Sequence, residues 1–191
     1  MSNNEGAWNE PLPVGNYMKF VDGTNQIRIL EVKEGVSLVR GFEVWINKKP
    51  ARFNVGDVSD VPKSAKDMAD IDEKKGTKKP PRFFWAFFVW NYAEEKIQLL
   101  ELTQKGIIEA IQGLTKNPKW GSPYSYDIVV TKSGTDLATK YTVTPDPKSD
   151  LDPAIEEKFT GTPDEIETEK TTVITTLTAQ GFKDVKIFNC K

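Results

Sequence analysis

The chain has 191 residues, with 28 Asp and Glu against 26 Lys and Arg, a net charge of −2, no histidine and a single cysteine. That length supports one good hydrophobic core, and 38% hydrophobic and 10% aromatic residues suit a globular chain rather than a disordered one. The missing histidines and the lone Cys190 exclude an internal disulfide framework, a cysteine–histidine zinc site and every histidine-based catalytic triad.

No stretch approaches the ~20 consecutive apolar residues of a membrane-spanning helix, so no membrane partner is expected. Residues 1–5 lack the charged and apolar regions of a signal peptide. With one cysteine, a reducing, cytoplasmic compartment is the expectation. No phosphate-cradling glycine motif occurs. Carboxylate pairs such as Asp70 with Asp72 and Glu94 with Glu95 lie in polar segments and read as solvated charge. No catalytic activity, cofactor or metal is expected.

Residues 1–16 are polar, hold Pro11, Pro13 and Gly15, and read as a flexible arm. The fold begins at Tyr17–Phe20, with Asp22-Gly23 as a turn. Residues 25–32 read as the first strand, residues 37–47 as a longer second one. On the second, Leu38, Arg40, Phe42, Val44 and Ile46 share the face expected to be core, while Val39, Glu43 and Trp45 share the other. Gly41 in mid-strand predicts a bulge or bend. Lys48, Lys49 and Arg52 end this strand in a basic cluster.

Residues 54–81 show little periodicity apart from a short polar helix within 64–72. An interval this long in a compact domain predicts a functional, mobile flap. It closes with Lys74, Lys75, Lys78, Lys79 and Arg82, five cations in nine residues that contain no acid.

Residues 82–92 follow, with seven aromatics among eleven residues, a strand by composition. Alternation puts Phe84, Ala86, Phe88, Trp90 and Tyr92 on one face and Phe83, Trp85, Phe87, Val89 and Asn91 on the other. Either both faces are buried, or one is buried and the other is an open platform for a flat ligand. The Phe83 face has the composition of a core. Trp90 and Tyr92 have polar tips that tolerate water, so Phe84, Phe88, Trp90 and Tyr92 are the expected platform.

Beyond a turn at 93–95, residues 96–102 read as an alternating strand. Thr103 is placed to cap a helix whose Ile107, Ile108, Ile111 and Leu114 form one apolar stripe, and Asn117-Pro118 stops it. Trp120 is expected to plug one end of the core. Residues 124–132 and 140–144 are the last strands, with Pro145 and Pro147 closing the domain. The resulting fold class is mainly β: a five-stranded, OB-fold-like antiparallel barrel over residues 17–147, with one helix between its third and fourth strands.

Charge is polarised along the chain. Residues 1–145 carry 20 Lys and Arg against 18 Asp and Glu, residues 146–191 only 6 against 10. Residues 148–191 therefore read as an acidic C-terminal tail with an apolar terminal segment at 171–191 that docks on the barrel or on a partner. An acidic tail beside a basic groove is placed to compete with a polyanion for it.

Cations beside exposed rings are what a single-stranded nucleic acid binder needs, because the cations track phosphates and the rings stack on bases. The candidate binding residues are Arg40, Trp45, Lys48, Lys49, Arg52, Lys74, Lys75, Lys78, Lys79, Arg82, Phe84, Phe88, Trp90 and Tyr92. Trp45, beside Glu43 and Asn47, is a separate stacking position. Arg40 either reaches phosphate at a groove edge or snorkels from an apolar face. The competing readings are a structural or protein-interaction module using its aromatic face as a protein interface, and a carboxylate- and metal-dependent enzyme on DNA.

The run 82–92, the run Ile97-Gln98-Leu99-Leu100-Glu101-Leu102-Thr103-Gln104-Lys105, and Tyr126–Val130 with Tyr141–Thr144 together resemble tailed-bacteriophage single-stranded DNA-binding proteins. The resemblance covers about residues 17–147, in order. It implies an OB-fold that coats single-stranded DNA during phage replication or recombination, with a C-terminal region contacting replication or recombination proteins. Two departures stand out. Relatives of the T-even helix-destabilising type carry a zinc module, and this chain would be a metal-free form. Its end, Lys186–Lys191, is basic and apolar rather than acidic.

Overall fold

The computed structural model describes residues 17–31 and 37–160. The expected N-terminal arm and the apolar segment 171–191 lie outside the described residues. In chain order the strands and helices are β1 (Tyr17–Met18), β2 (Gly23–Ile29), β3 (Val39–Ile46), β4 (Lys49–Phe53), α1 (Lys63–Asp67), β5 (Ile71–Asp72), β6 (Thr77–Lys78), β7 (Arg82–Asn91), β8 (Lys96–Leu102), α2 (Lys105–Lys116), β9 (Asp127–Ser133), β10 (Lys140–Pro145) and α3 (Pro153–Thr160).

The aromatic strand β7 is the spine. One edge pairs with β8, from Trp85 opposite Leu102 to Asn91 opposite Lys96. The other edge is divided. Its first half pairs with β3, from Arg82 opposite Glu43 to Ala86 opposite Val39. Its end pairs with β2, from Val89 opposite Ile29 to Asn91 opposite Ile27, and the Leu30 N–H bridges the gap to the Phe88 carbonyl at 3.0 Å. β2 pairs onward with β9, and β9 with β10. β1 runs parallel to β8 on the far side.

The chain is thus mainly β, but the described ladders form an open eight-stranded mixed sheet and not the expected closed barrel of five. The reason is stoichiometric: a backbone edge serves one partner per residue. Because β3 and β2 occupy separate halves of the same β7 edge, the sheet splits there into two wings, β3–β4 and β2–β9–β10.

Each face of β7 is covered by a different helix. Ile107, Ile108 and Ile111 of α2 close over Trp85, Phe87 and Val89, with Ile27, Ile29, Leu100, Leu102, Ile128 and Val130. The stripe is the one the sequence predicts. Its cap is not, because Gln104 and not Thr103 is the N-cap residue, and no side chain bonds the helix start. On the opposite face Phe84, Ala86, Phe88 and Trp90 pack with Leu30, Val39, Leu99 and Ile155 of α3. Residues 153–160, read by composition as part of an acidic tail, are therefore a structural helix. Asp146 N–H bonds the Asp127 carbonyl at 2.9 Å and Ser149 N–H the Ser125 carbonyl at 3.0 Å, so the chain between β10 and α3 is also held to the sheet.

The interval 54–81 is packed as well. Val61 and Ala69 cover Val44 of β3, and Asp70 fastens the segment to the β3–β4 hairpin. Its N–H bonds the Trp45 carbonyl at 2.7 Å, its carbonyl accepts from Lys79 N–H at 2.8 Å, and its carboxylate accepts from Lys48 N–H at 2.9 Å.

Gly41 makes no bulge, since the β3–β7 register runs through it unbroken. It is small because β4 crowds it: a Cβ there would stand 2.1 Å from the Phe53 carbonyl oxygen. Gly41→Ala is expected to destabilise the fold by about 1–3 kcal/mol, the usual effect of overpacking, read as a lowered urea midpoint with an unchanged m-value.

Candidate nucleic-acid interface

The expected platform is buried. Phe84, Phe88 and Trp90 are 0%, 6% and 5% exposed. The Phe159 ring meets Phe88 edge-on at 6.0 Å, and the Lys158 ammonium lies 4.8 Å over Trp90. Tyr92 is half-buried. Burial first, then its hydrogen bond to the Asp127 carboxylate, pushes its phenol up to about 12. These four residues present no open stacking face. The physical reason is that both faces of β7 are apolar, so both attract a covering helix, and the chain supplies two.

Arg52 is corrected too. It is 4% exposed and gripped by Glu101 in a two-pronged contact at 2.6 and 2.7 Å, with Glu43 at 3.5 Å and the Phe84 ring 4.9 Å beneath. Burial alone would lower its pKa, but the bonds and charges of Glu101 and Glu43 hold it above the ordinary arginine value. Its charge is committed inside the fold. Trp45, expected to be exposed, is half-buried and donates its indole N–H to Glu43 Oε1 at 3.1 Å.

The other cations fare differently. Arg40, Lys48, Lys49, Lys74, Lys75, Lys78 and Arg82 are exposed, and Lys79 is half-buried. Through Asp70, tertiary structure brings together two basic clusters that are separate in sequence, Lys48–Lys49 and Lys78–Lys79. Lys78 is itself tied to the Asp67 carbonyl. Arg40 and Arg82 stand apart from that end, on the paired segments of β3 and β7.

A half-buried aromatic strip does exist, on the other face of the sheet. Phe42 lies opposite both Phe83 and Phe53 in the ladders, and directly paired residues share a face. All three are half-buried, and the Phe42 and Phe83 rings are 5.3 Å apart with a 60° tilt. Arg40, opposite Trp85, belongs to the same face. Beside Phe83 a cavity of about 330 Å³ is bounded by Arg82, Thr103, Lys105, Ile108, Glu109 and Gln112. Lys105 and Glu109 approach to 3.5 Å as an exposed helix pair, an interaction too weak to withhold the lysine from a polyanion.

The strip lies where two packed regions meet: Phe83 leans on the core under α2, and Phe42 and Phe53 lean on the cluster of Val44, Val61 and Ala69.

Among the described residues no group of three or more His, Cys, Asp or Glu is arranged to hold a metal ion, and no helix is long and apolar enough to cross a membrane. No family model, curated protein or solved structure matches the chain.

Proposed function

We propose that the protein binds single-stranded DNA, without catalysis and with little sequence preference, across the Phe42–Phe83 strip. The observation that carries this reading is the half-buried ring pair, with Arg40 on its face and Arg82 and Lys105 beside it. Rings offer any base a stacking partner, and the three cations neutralise successive phosphates. The surface end with Lys48, Lys49, Lys74 and Lys75 extends the positive path away from the strip. In this reading the strand order around α2 is that of an opened OB-fold. The resemblance to tailed-bacteriophage single-stranded DNA-binding proteins supports the same function and adds a setting, phage DNA replication or recombination.

The test is titration of labelled oligo-dT and matched duplex at two or more salt concentrations. Single strand should bind more tightly than duplex. Three phosphate contacts should give a log–log salt slope of about −2, from roughly −0.7 per contact. Phe83→Ala should weaken single-strand binding by about 1–3 kcal/mol, or 5- to 150-fold, and Arg40→Gln should make the slope shallower by about 0.7. Absence of single-strand binding at low salt sinks the proposal. Salt-insensitive capture of a protein by the same strip would support the interaction-module reading instead.

A further inference from the structure

A second cavity lies beside the first. It measures about 210 Å³, and its walls include Leu38, Trp85, Phe87, Ile111 and Tyr124. Gln112 lines both cavities, so the two are neighbours along α2. The Phe83 ring borders the first, and Trp85 and Phe87, the next residues on the same face of β7, border the second. By the same measure one water needs on the order of 10–15 Å³, so the second cavity has room for a fused ring system.

We propose that this cavity receives one unstacked base of the bound strand, turned in from a backbone held by Arg82 and Lys105. The inference rests on the single-strand reading and adds to it the place where a base is held edge-in rather than stacked on the surface. Two features of the walls favour a heteroaromatic ring. The interior is ring and aliphatic surface, which suits the faces of a base. The rim carries the Gln112 amide, which both donates and accepts hydrogen bonds and so meets any base edge without selecting one. The charge beside the cavity selects the occupant's backbone, because Arg82 and Lys105 favour a polyanion over an acyl chain or an apolar peptide.

The experiment compares the full chain with Thr115→Trp, which places a ring in the cavity mouth from an exposed position on α2 and leaves the buried isoleucines untouched. Thr115→Ala is the control that leaves the mouth open. Each protein is titrated with oligo-dT of about 12 nucleotides, within the ~4–16 that one such fold spans, and with a fully abasic strand of the same length. The ratio of the two affinities isolates what the bases contribute. Thr115→Trp should reduce that ratio at least fivefold while abasic binding and thermal unfolding stay as in the parent, and Thr115→Ala should match the parent. If Thr115→Trp binds oligo-dT as tightly as the parent, the cavity holds no base, although single-strand binding stands. Equal loss on both strands also overturns the inference, since it would report damage to the phosphate contacts. If the parent itself shows no preference for single strand, the functional reading fails and the inference falls with it.

Discussion

Replacing Arg28 with Met is expected to destabilise the protein by about 3–5 kcal/mol, the range for stranding one member of a buried ion pair. Arg28 is 2% exposed and Asp127 8%, and the Arg28 Nε donates to the Asp127 carboxylate. The rest of the guanidinium is also used. Nη1 donates to the Ser149 carbonyl at 3.1 Å and Nη2 to Ser149 Oγ at 2.7 Å. Methionine would fill the space but leave a buried carboxylate with only the Gln26 amide at 2.9 Å and the Tyr92 hydroxyl. It would also release the chain at Ser149, just ahead of α3. Urea unfolding measures the loss. Pairing Arg28→Met with Asp127→Leu should recover much of it, because the pair as a unit contributes less than its halves lose when separated. A single-variant loss under about 1 kcal/mol would contradict the role assigned to Arg28, since that is the scale of an exposed pair.

A chain ending at residue 147 should be less stable than one ending at residue 160 by about 3–6 kcal/mol. Between those ends lie Ile155, which is 5% exposed, and the partly buried Leu151 and Phe159, all packed on the Phe84–Trp90 face. Full burial of such a side chain contributes about 1.5–3 kcal/mol, so one buried and two partly buried residues give that sum. The shorter chain would also expose Phe88 and Trp90, and stronger binding of an apolar dye should accompany the lower urea midpoint. Equal stability of the two chains would show that α3 is not part of the folded unit. The result bears on the acidic segment as a competitor for DNA. Deletion from residue 146 would confound lost charge with a lost helix, whereas deletion from residue 161 removes five of the acids in the C-terminal region and spares α3. Unchanged salt dependence of DNA binding after that shorter deletion would count against competition.

Much of the local structure was legible because its signals are local. Alternation located β2, β3, β8, β9 and β10 to within a few residues, aromatic density located β7, and the spacing of Ile107, Ile108, Ile111 and Leu114 located α2. The helix α3 was missed because Pro and acidic residues dominate its neighbourhood. Its signal was Ile155 and Phe159, four residues apart on one helical face, which composition averaged away. The half-buried ring pair was missed for a different reason. Phe42 and Phe83 were assigned to core by their neighbours on each strand, and nothing within either strand reports how far a helix from elsewhere extends over it.

The basic residues show the same division. Lys48, Lys49, Arg52, Lys74 and Lys75 look equivalent when charges are counted along the chain. Arg52 alone is withdrawn from the surface, because Glu101, 49 residues away, meets its guanidinium and Glu43 lies opposite it in the β3–β4 ladder.

By itself, then, the sequence determined where β2, β3, β7–β10 and α2 form, though not β4, β5 or β6, that a β-rich core would be aromatic, and that histidine chemistry is absent. Those properties depend on residues within a few positions of one another or on composition alone. Only the tertiary structure decided that the sheet stays open, that α3 covers Phe88 and Trp90, and that Phe42 and Phe83 meet as a half-buried ring pair. Each of these is a competition among distant segments for one edge or one apolar surface. β7 offers two apolar faces and a single free edge beside β8, and which segment takes each is settled by burial and pairing across the whole chain.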